Sequence, residues 1–135
     1  MGYGLPAAIG AKLAQPASPV ISVSGDGGIL MTISELETAV RHEANVVALV
    51  LDNSRHGTIR MHQERQHPGR VIGTELGPVD LAKVATGLGA TGYLVEDSGD
   101  LESTMRAALE SGVPSLIQVT MDREQLSVER RLEGV

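Results

Sequence analysis

Two short groups of residues carry most of the chemistry this chain could perform. Gly25-Asp26-Gly27-Gly28 sets one carboxylate among glycines, and Asp52-Asn53 ends an apolar run on a carboxylate and an amide. Glycines let a backbone turn sharply and come close to a ligand, leaving amide hydrogens to point at an anion as a nest or helix start does. A carboxylate, an amide oxygen and phosphate oxygens are hard donors of the kind Mg²⁺ accepts, usually with water completing an octahedron. The pattern suits a magnesium-diphosphate seat. It also suits plain turns, because Gly-Asp-Gly and Asp-Asn both commonly end strands in this way, and the residue types alone leave the two readings open.

The elements that must position these groups follow from the hydrophobic pattern. Leu5 to Ala14 is small and apolar with Pro6 near its start, where a missing amide hydrogen costs a helix nothing. Residues 20–25 (VISVSG) and 46–51 (VVALVL) are short apolar runs of the kind that form strands buried on both faces. Between them, Thr32 and Glu35 form a capping-box pattern ahead of Ile33, Leu36 and Val40, which predicts a helix to about His42. Residues 54–78 are polar and rich in glycine, and predict a loop with a helical start. Asp80 can cap a helix over LAKVATGLG, and Tyr93-Leu94-Val95 is a short strand. Asp97 and Ser98 can cap a helix whose stripe is Leu101, Met105, Ala108 and Leu109, and residues 114–121 supply the last strand. The tail EQLSVERRLEGV is expected to form a peripheral helix or a frayed end. Strands alternating with helices predict an α/β fold with an open, mostly parallel sheet covered by helices on both faces. Both chemical groups then fall just beyond the carboxyl ends of strands, where such sheets collect ligands.

Composition narrows the classes of function. The chain has 135 residues, one domain's worth, and a single domain over 1–135 is expected. Eleven basic residues against 17 acidic give net charge −6, and two tyrosines are the only aromatics, so neither a field nor a stacking platform favours nucleic acid. No run approaches the ~18 apolar residues of a membrane helix, and neither a membrane contact nor a signal peptide is expected; a cytoplasmic setting follows. Without cysteine, any metal must use oxygen or imidazole. Gly2-x-Gly4-x-x-Ala7 matches a dinucleotide fingerprint but has no strand before it, and His56, His62 and His67 lack an i, i+4 zinc pair. Arg55, Arg60, Arg65 and Arg70 step by five residues and do not share a helix face. A nucleotide-binding module and a non-catalytic α/β interaction module remain as alternatives.

The ordered motifs resemble those of thiamine-diphosphate-dependent enzymes of the acetolactate synthase and 2-oxoacid decarboxylase superfamily, in their C-terminal pyrophosphate-binding domain. Twenty-five residues separate Gly27 from Asn53, comparable to the interval between Gly-Asp-Gly and Asn in that superfamily. The likeness continues through residues 1–11 (MGYGLPAAIGA), similar to the helix preceding Gly-Asp-Gly, and through Gly57 after the Asn turn. The resemblance implies thiamine diphosphate and Mg²⁺ as cofactors. It implies that Asp26 and Asn53 bind the metal through side-chain oxygens and Arg55 through its backbone carbonyl. Gly25, Gly27, Gly28, His56, Gly57 and Thr58 would surround the diphosphate, and Met1 matches the bulky apolar residue over which the cofactor bends. No catalytic residue is assigned within the chain.

Departures from the family pattern qualify what carries over. Asp52 stands where members usually have a first Asn, adding negative charge beside the metal position. His62 stands where acetolactate synthases commonly carry a substrate-pocket tryptophan, so a small 2-oxoacid is expected without an assigned acceptor. The family's activating glutamate belongs to a pyrimidine-binding domain, normally placed across a subunit interface. The chain is therefore expected to be a fragment or truncated product, inactive alone, working in a homo- or hetero-oligomer with a domain or chain that supplies that glutamate.

Overall fold

The computed structural model describes residues 1–127 and 130–131. Helix α1 (Gly4–Ala14) leads into strand β1 (Ile21–Gly25), the one-turn helix α2 (Asp26–Ile29), α3 (Glu35–Arg41) and β2 (Val47–Asp52). Then follow α4 (Gly57–Gln66), α5 (Leu81–Gly87), β3 (Thr91–Val95), a 3-10 turn at Ser98–Asp100, α6 (Leu101–Glu110) and β4 (Ser115–Thr120). The four strands form one wholly parallel sheet in the order β1-β2-β4-β3. Among the described residues no helix is long and apolar enough to cross a membrane.

Alternation along β2 divides the core between the two faces of the sheet. Ala48 and Val50, with Leu116 of β4, pack under Leu5 and Ile9 of α1, Leu36 of α3 and Leu81 of α5. Val47, with Ile117 and Val119 of β4, packs against Ala108 of α6, with Leu101 and Met105 around it. Each valine, leucine, isoleucine or methionine among them contributes about 1.5–3 kcal/mol when fully removed from water. The second face is covered by α6 over β3 and β4. Over β1 it is open, so Val23 remains 61% exposed and Ile21 44%.

Two expectations are corrected. Thr32 and Glu35 make no capping box. Turns run continuously from α2 into α3, the Thr32 carbonyl accepts from the Glu35 amide, and the N-cap is Ser34, which is already helical and makes no side-chain cap. The tail is not a helix: Gln125–Ser127 (β5) pairs antiparallel with Arg130–Arg131 (β6), and β5 lies against α4, which holds this segment extended. Residues 128–129 and 132–135 of that expected tail lie outside the described residues. Of the two expected caps before α6, Asp97 accepts from the Gly99 amide at 2.8 Å.

One buried polar side chain ties the sheet to the region of interest. Gln118 of β4, 6% exposed, donates from Nε2 to Asp52 Oδ2 at 2.6 Å and to the Val79 carbonyl at 3.0 Å. Its Oε1 accepts from the Ala82 amide at 3.2 Å. Replacing it by leucine keeps the volume and strands all three partners. Gln118→Leu is therefore expected to lower unfolding free energy by roughly 1–3 kcal/mol, the cost of leaving buried polar groups unpaired. Urea denaturation checks this, and an unchanged midpoint contradicts it.

Candidate functional site

Strand register builds the site. In the parallel pairing of β1 with β2, Gly25 lies opposite Leu51, so the residues that follow, Asp26 and Asp52, leave the sheet side by side. Asp26 is 6% exposed; its Oδ1 accepts from the Gly27 amide at 2.8 Å and its Oδ2 from the Arg55 amide at 3.2 Å. Asp52 Oδ1 accepts from the Ser54 amide at 2.8 Å and the Ser54 hydroxyl at 3.2 Å, closing an Asx turn with Ser54 at positive φ. That turn delivers the Arg55 amide to Asp26. The turn reading of Asp52 and the ligand-seat reading of Asp26 are thus parts of one arrangement.

Burial holds the Asp26 carboxyl above the usual carboxylate range, and a hydrogen bond shared with Asp52, together with the Asp52 charge, pushes the same way. The Gly27 and Arg55 amides oppose this without reversing it. Among the described residues neither aspartate makes an ion pair. Two adjacent carboxyls without a cationic side chain favour uptake of a positive charge from solution, either a proton or a metal ion.

Met1, Gly25, Asp26, Gly27, Gly28, Arg55, His56, Gly57 and Thr58 line one cavity of about 480 Å³, within the range of small-ligand sites. Gly2, Tyr3, Gly4, Val23, Ser24 and Ile59 complete it; none was assigned to the cofactor from the sequence, although the first three lie in the stretch at 1–11 that carries the family likeness. The N-terminus of α4 opens on this cavity with no side-chain cap from His56, so its first amides present a positive end to whatever the cavity holds. A Cβ at Gly27 would sit 2.4 Å from His56 Cε1, so the imidazole would have to swing aside to admit one. A Cβ at Gly28 would meet nothing within 4 Å, which leaves that glycine to the backbone's needs or to a ligand's.

Asn53 is placed differently from the other nine expected residues. It lines an adjoining cavity of about 820 Å³, whose walls share Val23, Ser24, Gly25, Gly57 and Thr58 with the first. Its Nδ2 donates to the Gln125 carbonyl at 3.2 Å, and Leu126 lies where a Cβ on Gly57 would touch it at 2.8 Å. The segment at 121–126 therefore roofs the ends of β1 and β2. Sequence reasoning missed this roof, and it missed Gln118 as the support of Asp52; both contacts join residues more than 60 positions apart. The Arg55 guanidinium points away from the cavity chemistry, to Glu124 at 2.6 Å and Glu75 at 3.1 Å.

The residues fit a hydrated divalent cation with a diphosphate. Among the described residues no three His, Asp or Glu side chains gather, so a cation here would depend on the Asp26 carboxylate together with amide and carbonyl oxygens. That donor set, beside an uncapped helix start, suits Mg²⁺ bridging to phosphate.

Comparison with known proteins gives a consistent result. Residues 1–119 match the family described as thiamine pyrophosphate enzyme, C-terminal TPP binding domain. The chain is 40% identical over 122 residues to the catabolic acetolactate synthase of Raoultella terrigena, covering 90% of this chain and 22% of that protein. It is 38% identical over 122 residues to the acetolactate synthase of Bacillus subtilis, covering 90% of this chain and 21% of the relative. With the mitochondrial acetolactate synthase catalytic subunit of Saccharomyces cerevisiae it shares 35% over 124 residues, covering 92% and 18%. The chain thus spans about a fifth of the length of these relatives.

Proposed function

Because this chain belongs to the C-terminal TPP-binding domain family of thiamine pyrophosphate enzymes, we propose that it binds thiamine diphosphate through Mg²⁺ held at Asp26. The observation that carries the reading is a buried carboxylate, paired with Asp52 and lacking a cationic side chain, in the same cavity as an uncapped helix start.

In this reading residues 1–135 form one pyrophosphate-binding domain. The Asp26 carboxylate, the Asn53 side-chain oxygen and the Arg55 carbonyl hold the cation. Gly25 and the amides of Gly28 and Thr58 surround the diphosphate with Gly27, His56 and Gly57 beside them, and Met1 supports the cofactor's bend. When bound, the cofactor supplies the electron sink for decarboxylation of a small 2-oxoacid and for carboligation to a second carbonyl. The protein's share is position and electrostatics: Asp26 fixes the cation, α4 directs its positive end at the phosphates, and the glycines allow close backbone approach. Activation of the cofactor requires a glutamate from a pyrimidine-binding domain or chain, so this chain is inactive alone and works in an oligomer, in the cytoplasm.

Calorimetric titration tests the reading. Thiamine diphosphate should bind with Mg²⁺ present and show no saturable heat in excess chelator. Magnesium-independent binding of NAD, with none of thiamine diphosphate, would instead support a dinucleotide module.

A further inference from the structure

Arg55 stands where three distant segments meet. Its side chain is 9% exposed. Nη1 donates to Glu124 Oε1 at 2.6 Å, and Nε lies 3.1 Å from Glu75 Oε1, close enough for charge attraction though not aligned as a hydrogen bond. Glu75 also receives Arg60 of α4 at 3.0 Å and Arg123 from the roof segment. The backbone around residue 55 is stitched to the same neighbours. Arg55 forms a bridge with Glu75, the His56 amide donates to the Thr74 carbonyl at 2.8 Å, and the Leu76 amide donates to the Ser54 carbonyl at 3.0 Å. On its other side the Arg55 amide donates to Asp26, and the Arg55 carbonyl accepts from the Gly57 amide at 2.9 Å.

We infer that the Arg55 guanidinium is a positioning residue for the cation side of the cofactor site, an inference that rests on the functional reading above. Its clasp on Glu75 and Glu124 holds the backbone of 53–57, so that the amide aimed at Asp26 and the first amides of α4 stand ready before any ligand arrives. A planar fork can reach two carboxylates from separate segments at once, which an ammonium on a flexible stem does less well. The clasp also fastens the 121–126 roof, because Glu124 belongs to it while Asn53 holds its next residue. The cation ligand in this reading is the Arg55 carbonyl; the side chain acts on that carbonyl from behind.

Amide hydrogen exchange and metal titration of the 135-residue chain test the inference. In cofactor-free protein, Arg55→Met should speed exchange at 53–57 and at 121–126 relative to the central strands. At fixed thiamine diphosphate it should raise the Mg²⁺ needed for half-maximal binding about 10-fold, the usual scale for a residue that orients a metal ligand. Arg55→Lys should fall between, since it restores charge without the fork. Should Arg55→Met fail to fold, Glu124→Ala, which removes half of the clasp at a partly exposed position, carries the same comparison. Unchanged exchange at 53–57 in a folded variant overturns the inference, as does an unchanged Mg²⁺ requirement. A wild-type chain that does not bind magnesium and thiamine diphosphate together sinks the functional reading instead, and the cofactor-free exchange experiment still decides whether the clasp exists.

Discussion

Asp26→Ala should reduce magnesium-dependent thiamine diphosphate binding by at least about 100-fold, a loss of ~3 kcal/mol, while leaving the chain folded. The binding loss follows because this carboxylate is the one anionic side chain assigned to the cation. Retention of the fold follows from the direction of its titration. Burial, and then the neighbouring Asp52, raise its folded pKa above the ordinary 3.8. A group that binds its proton more tightly when folded contributes stability below pH 3.8, and that contribution is lost as pH rises through the folded value. At neutral pH, without a cation, ionised Asp26 is therefore a liability, and alanine forfeits only its two amide hydrogen bonds. Thermal unfolding of the cofactor-free proteins should show the wild type losing ground against Asp26→Ala as pH climbs from about 4 toward neutrality. Adding magnesium with thiamine diphosphate should restore the advantage of the wild type through mass action. Equal cofactor affinity in the two proteins would remove Asp26 from the site.

The second large effect concerns the fold. Gly92→Ala should be among the most destabilising single substitutions in this chain, at roughly 3–5 kcal/mol or outright failure to fold. A Cβ at position 92 would lie 1.9 Å from the Ala82 carbonyl oxygen and 2.6 Å from its carbon. Those atoms belong to the backbone of the first turn of α5, which cannot swing aside as a side chain tip could. Relief would require α5 to lift from β3, opening the packing of Leu81 and Ala85, both essentially inaccessible to solvent. Gly28→Ala is the control, since its Cβ meets nothing within 4 Å. Chemical denaturation of the two variants should separate them clearly, and similar midpoints would contradict the close approach of α5 to β3.

Gly92 also shows where reading a sequence stops. A lone glycine in a strand pattern signals a close backbone approach or a bulge without saying which element approaches. The α/β class, the four parallel strands and five of the six helices among the described residues were legible, because apolar period and turn residues are local signals. That Gly25-Asp26-Gly27-Gly28 and the 55–58 turn meet at one cavity was foreseeable to the extent that each follows a strand recognisable by itself, whereas Asn53 lies on an adjoining cavity. The capping box and the tail were misread for a common reason: continuous turns before α3, and a hairpin lying on α4, depend on what surrounds them.

By itself the sequence determined that two strand-end turns carry a carboxylate, glycines and an amide in an order that matches one cofactor-binding family. Only the tertiary structure decided that the register of β1 on β2 sets Asp26 beside Asp52, that Gln118 braces the second carboxylate, and that Arg55 turns its side chain from the cavity toward Glu75 and Glu124. Hydrophobic periodicity fixes what each segment becomes. The partners of a buried charge are chosen by which distant segments the packed core brings within three ångströms, and no local pattern encodes that choice.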